Sequence, residues 1–164
     1  MSEELDVMWR SVRAWLESVR RASAEIEPLA CEIRALEDAR AETLGWRTKA
    51  SGTGHGAGAH SDPTATAAEQ RMCELDDLIL AKRGEWERRV AEVGACGEVL
   101  EHMGASIGEK HKDALELYYV DCADTWSEVA CEMNVTYRRV CQIRTEAYAW
   151  IDANYRRILG SFPI

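Results

Sequence analysis

The chain has 164 residues, of which 46% are apolar and only three are proline, and its formal net charge is −9 at pH 7. That length suits one compact domain or two small helical parts, with enough apolar content to bury a core. The acidic balance argues against a protein that coats nucleic acid regardless of sequence. The absence of any apolar run of about 18 residues excludes a membrane-spanning helix.

From Met1 to Arg10 the sequence is acidic and amphipathic, which is not the pattern of a secretory leader. The expectation is therefore a cytoplasmic protein. Six cysteines (Cys31, Cys73, Cys96, Cys122, Cys131 and Cys141) form no C-x-x-C pair. They sit at apolar helical positions or at their edges, so in a reducing compartment they read as small buried hydrophobes and not as a disulfide or zinc framework.

The first segment, Glu3 to Trp46, carries apolar residues at Leu5, Met8, Val12, Trp15, Val19, Ala22, Ile26, Leu29, Ile33 and Leu36. The steps alternate three and four, which is the seam of a coiled-coil helix. Glu3, Glu4 and Asp6 suit the positive end of its dipole. Pro28 removes a backbone donor, but the seam stays in phase across it, so a kink is predicted there and not a stop.

Ser51 to Ser61 has four glycines and no large apolar residue, and it reads as a mobile loop. His55 and His60 within it are weak metal candidates, and no metal site is assigned to them. Asp62-Pro63 then reads as an N-cap followed by proline in the first helical position. A second long helix is predicted to about Met103, with Met72, Leu75, Ile79, Trp86, Val93, Leu100 and Met103 in a seven-residue rhythm that Lys82 and Arg89 interrupt. Two seams of similar length joined by a flexible loop predict an antiparallel helical hairpin over residues 1–104.

After Gly104 the texture changes. Ser106-Ile-Gly-Glu109 and Thr125-Trp-Ser-Glu128 are two capping boxes, opening helices predicted to run to about Val120 and to about Met133. Thr136 can cap a last helix from Tyr137 to about Leu159. The fold class is thus all-α, a long hairpin followed by a three-helix module over residues 105–164.

The stretch from Thr125 to Trp150 fits the corner of a helix-turn-helix. Ala130 supplies the small residue where the second helix crosses the first. Four places on, Asn134 is the residue after glycine most tolerant of a left-handed backbone. Val129, Met133, Val135, Val140 and Ile143 supply apolar inner faces on both sides of the turn. In this register the recognition helix spans about residues 137–149. Thr136, Tyr137, Arg138 and Gln142 face base edges, while Arg139 and Arg144 are placed for phosphates. Taken singly, Arg138, Arg139 and Arg144 read better as the solvated face of an amphipathic helix, and it is the corner chemistry and the two capping boxes that favour DNA contact. Residues 134–164 hold five arginines against Glu146 and Asp152, so the basic surplus lies where the corner does.

This region, ALELYYVDCADTW followed by SEVACEMNVTYRRV, resembles the C-terminal helix-turn-helix of bacterial sigma factors, their region four. Together with the long helical N-terminal part, it is similar to small phage-associated transcriptional regulators of the RinA type. The resemblance covers roughly residues 106–151. Met133-Asn134 stand where that family more commonly has Leu-Gly, and Asp121 to Asp124 replace a connector glycine. The resemblance implies a regulator that binds double-stranded DNA, with RNA polymerase as a further partner. The apolar seam points to a homo-oligomer, a dimer first, unless a hairpin within the chain buries it. The alternatives are a sigma-like module docking on RNA polymerase, a phage small terminase subunit, or a purely structural coiled coil.

No phosphate-binding loop, G-x-S-x-G or H-E-x-x-H motif occurs, so neither an enzyme nor a cofactor is expected. His102 and His111 have no evident partner in the sequence and read as surface residues.

Overall fold

The computed structural model describes the backbone of residues 2–50 and 63–159 and the side chains of residues 11–46 and 66–155. The glycine-rich stretch with its two histidines, and Leu5, Met8 and Ile158, lie outside the described side chains. Among the described residues the chain is all-helical and has no strand. It comprises α1 (Ser2–Ala50), α2 (Pro63–Ile107), α3 (Glu109–Leu115), a π-helical turn (Glu116–Val120), α4 (Trp126–Glu132) and α5 (Tyr137–Leu159). No helix among the described residues is long and apolar enough to cross a membrane.

Both long helices are continuous, as expected at Pro28, where the sequence predicts no stop. α1 is helical through Pro28, and α2 runs unbroken through its glycines to Ile107. The Ser106 capping box does not operate, because Ser106 lies inside α2 and its Oγ accepts a hydrogen bond from Trp150 Nε1 at 3.0 Å. The break comes two residues later at Gly108, whose φ of 120° is one that side chains rarely tolerate.

Two compact units are present, one of Met1–Ile26 with Arg89–Ile164 and one of Glu27–Arg88. This division differs from the compositional boundary at 104/105, because the N-terminal turns of α1 share a core with the C-terminal helices.

In the first unit, Val12, Trp15, Leu16 and Val19 of α1 meet Cys96, Val99, Leu100 and Met103 of α2. Leu115, Tyr119, Ala147, Tyr148 and Ile151 complete this core. The seam of α1 is buried at Val12, Trp15, Val19 and Ala22 as its spacing predicts, and Leu16 adds a second row. Tyr119 and Tyr148 join their hydroxyls inside the core, and burial raises both phenols, Tyr119 well above the ordinary tyrosine range. A second, smaller core lies under α3 to α5, where Ala114, Val129, Ala130, Val140 and Ile143 are buried together.

The π-helical turn leaves carbonyls out of the regular ladder, and α1 satisfies two of them. Arg20 Nη1 donates to the Tyr118 carbonyl at 2.7 Å, and Ser23 Oγ donates to the Val120 carbonyl at 2.5 Å. Asp121 N–H bonds back to the Glu116 carbonyl at 2.9 Å, closing the wide turn. Cys122 then takes a left-handed conformation with φ 60°. It fills the connector position where the resemblance leads one to expect glycine.

In the second unit, Leu29, Thr43, Leu75 and Ile79 are buried. Ion pairs link the two helices here: Arg40 with Asp76, Arg83 with Glu37, and Lys82 with Glu32 at 2.8 Å. The Glu32 hydrogen bond raises the Lys82 pKa. Lys82, one of the two breaks in the apolar rhythm of α2, is thus the site of an interhelical ion pair. The other, Arg89, plays the same part in the first unit, with Nε 2.7 Å from Glu25 Oε2, off the direction of the N–H.

The cysteines depart from expectation. Cys96 alone is buried among them, and burial pushes its thiol up to about 12. Cys31, Cys73 and Cys131 are exposed, and Cys122 and Cys141 are half-buried. Cys31, Cys73, Cys131 and Cys141 lie on helices, while Cys122 lies in the connector before α4.

Candidate nucleic-acid interface

α4 begins at Thr125, whose Oγ1 accepts from Glu128 N–H at 3.2 Å. The Glu128 carboxylate reaches back to Asp124 N–H at 2.8 Å, one residue before the usual partner of a capping box. The helix ends in a Schellman closure: Val135 N–H bonds to the Ala130 carbonyl at 3.0 Å, and Asn134 N–H bonds to the Cys131 carbonyl at 3.1 Å. This closure requires a left-handed residue in the C′ position, and Asn134 holds it with φ 52°.

Two residues later Thr136 opens α5, its Oγ1 accepting from Arg139 N–H at 3.3 Å. Val140, Ile143 and Ala147 form the buried stripe of α5, and the helix packs against α3 and α4. Helical spacing then puts Arg138, Arg139, Gln142, Thr145 and Glu146 on the opposite arc, and all five are exposed. Beside them Tyr137 is 54% exposed.

Of the six residues singled out from the sequence, Thr136, Tyr137, Arg138, Arg139 and Gln142 lie together at the start of α5. Thr136 has one oxygen lone pair engaged by its cap, which leaves the hydroxyl proton free to donate. Arg138 has no ion-pair partner among the described residues. Arg139 is tethered, with Nη1 donating to Gln142 Oε1 at 3.4 Å and lying 3.8 Å from Glu146 Oε1.

Arg144 is elsewhere. It is half-buried, with its guanidinium 5.0 Å from the centroid of the Trp126 ring. Trp126 stacks in turn on Tyr118 at 4.1 Å between centroids, and Arg20 covers the other face of Tyr118 at 4.3 Å. Tyr118 and Trp126 are partly buried and packed against both cores, as their helical spacing suggests.

The expectation that His111 is a surface residue is wrong. It is 8% exposed, and its Nε2 lies 2.7 Å from Glu146 Oε2. Nδ1 lies 3.3 Å from the Gly108 carbonyl. The signal available in the sequence was spacing: His111 falls three and four places before the buried Ala114 and Leu115. Glu146 follows Arg139 by two full turns and so shares its face. His102 is exposed, with Nδ1 2.9 Å from the Tyr155 hydroxyl and its ring edge-on to Trp150.

A shallow open hollow lies at the corner, lined by Ala130, Cys131, Asn134, Val135, Thr136 and Arg139. Among the described residues no group of three or more His, Cys, Asp or Glu is arranged to hold a metal ion.

No protein-family model, curated protein or solved structure matches the chain.

Proposed function

We propose that the chain is a cytoplasmic, phage- or prophage-type transcriptional regulator of the RinA kind. It binds double-stranded DNA through a helix-turn-helix made of α4, the Asn134 corner and α5. The observation that carries this reading is the corner itself, a Schellman closure through a left-handed Asn134 followed directly by a Thr136-capped helix. That junction points the first turn of α5, with Tyr137, Arg138, Arg139 and Gln142, away from the core. Arg138 offers a fork for guanine, Gln142 one for adenine, and Arg139 a charge for phosphate.

α1 and α2 form an antiparallel hairpin in this reading. Their polar contacts support it, since the Ser18–Glu92 hydrogen bond and the Glu25–Arg89 ion pair of the first unit have partner numbers that fall on α2 as they rise on α1. In the second unit Glu37 pairs with Arg83 and Arg40 with Asp76 in the same sense. The hairpin serves dimerisation or contact with the transcription machinery.

The test is selection from random duplexes at moderate salt. An enriched motif is expected, and Arg138→Ala should weaken binding to it and relax one base position, at about 1–3 kcal/mol for a lost bidentate contact. No enrichment at any position would refute the sequence-specific reading.

A second reading, docking on RNA polymerase, draws on the hollow beside Asn134 and Val135, which a partner's side chain would fill. Capture of polymerase that survives loss of both Arg138 and Arg139 favours it over DNA binding.

A further inference from the structure

Glu146 sits badly on a surface meant for DNA. Its carboxylate lies on the same arc of α5 as Arg138, Arg139 and Gln142, where it repels any phosphate that approaches. It is also held in place. Oε2 meets Nε2 of the buried His111 at 2.7 Å, and Nδ1 of that ring faces the Gly108 carbonyl at the break between α2 and α3. An exposed glutamate with free rotamers would swing aside, and this one is fixed from beneath by a neighbouring helix. Its second oxygen, Oε1, faces Arg139 Nη1 at 3.8 Å, while the same Nη1 donates to Gln142 Oε1 at 3.4 Å. Gly108, His111, Glu146, Arg139 and Gln142 thus form one continuous polar relay from the interior to the exposed face.

We infer that Glu146, anchored by His111, is a specificity-determining positioning residue that holds Arg139 against Gln142 and withholds it from phosphates of any sequence. The inference rests on the DNA-binding reading and deepens it. A random duplex offers Arg139 only a phosphate, in competition with a carboxylate already in place. A cognate site also engages Arg138 and Gln142, and the Gln142 contact removes one of the two restraints on Arg139. Glu146 thereby weakens sequence-independent binding more than cognate binding, and sharpens the ratio between them.

The test measures the salt dependence of binding to a random-sequence duplex and to the duplex enriched by selection. One phosphate contact adds about 0.9 to the slope of log affinity against log salt. Glu146→Gln keeps the shape and an acceptor for His111 while removing the charge. It should raise affinity for the random duplex several-fold, steepen its salt slope by about one, and lower the ratio of cognate to random affinity.

Arg139→Ala is exposed and safe for folding. It should reduce the random-duplex slope more in the Glu146→Gln chain than in the native one, and that coupling locates the effect in this pair. An unchanged slope in Glu146→Gln, or equal effects of Arg139→Ala in both backgrounds, overturns the inference while leaving DNA binding intact. A native chain that retains neither duplex at low salt refutes the DNA reading itself.

Discussion

The two compact units are built from the same pair of long helices, yet they are held together by different means. The unit of Met1–Ile26 with Arg89–Ile164 closes over two apolar cores, and Leu16, Leu100, Met103, Leu115, Tyr119, Ile143 and Ile151 are all within 2% of complete burial there. The unit of Glu27–Arg88 buries a narrow stripe and joins its helices by ion pairs at the edges. Leu44, Trp46, Leu78 and Leu80 are left exposed in it, Leu80 at 73%. Two helices alone cover only one stripe of each other, and a core needs a third element to close it. α3, α4 and α5 provide that third element to the first unit. Surface ion pairs add little each and are screened by salt, so the stability of the chain should reside in the first unit.

Core truncation is the largest way to break this contrast. Leu16→Ala should lower the unfolding free energy by about 2–5 kcal/mol, the range for a fully buried leucine. Leu75→Ala, in the second unit, should cost less than half as much because its neighbours are free to relax. Urea melts of both variants check this, and equal losses would mean that the second unit shares the stability of the first.

The corner gives the next effect. Asn134→Val forces a β-branched residue into a left-handed conformation and should cost about 1–2 kcal/mol. Asn134→Gly should be neutral or slightly stabilising. A valine variant as stable as the native chain would show that the turn adapts.

Smallest in free energy, though simple to read, is thiol chemistry. At pH 8, iodoacetamide should modify Cys31 and Cys73 of the second unit in the folded chain and spare Cys96, as mapped by mass spectrometry. The Cys96 pKa is raised in the folded state from 9.0 to about 12. The unfolded chain therefore releases this proton first, from about pH 9, and the associated stability erodes as pH rises towards 12. Cys96→Ala should flatten that alkaline slope. Rapid labelling of Cys96 at pH 8 would mean that the first core opens far more readily than its packing implies.

Much of the fold was legible in the residues because it depends on local chemistry. Thr125 and Thr136 cap the helices they were expected to cap, and Asn134 is left-handed at the helix end closed by the hydrogen bonds to Ala130 and Cys131. The apolar steps of α1 locate the buried seam from Val12 to Ala22. What escaped depends on contacts distant in sequence. Ser106 has a perfect local capping pattern and is overruled by Trp150, 44 residues away, and by Gly108. The π-helical turn has no local signature, since its spare carbonyls are answered by Arg20 and Ser23 almost 100 residues earlier. His111 looked solitary because its partner Glu146 is 35 residues on, and Arg144 looked available because Trp126 is a neighbour only in three dimensions.

The capping of the π-helical turn by α1 bears on how such a chain is inherited or rebuilt. Composition invites a cut near Gly104, as though α5 and the helices that support it were a cassette. A piece starting there would leave the Tyr118 and Val120 carbonyls without Arg20 and Ser23, and would lay bare the side of Tyr119, Tyr148 and Ile151 that Val12 to Val19 cover. Grafting this head onto another protein therefore means carrying residues 12–23 along as a second, non-contiguous fragment. Recombination that swaps C-terminal ends among related chains would be confined to partners with a matching first helix.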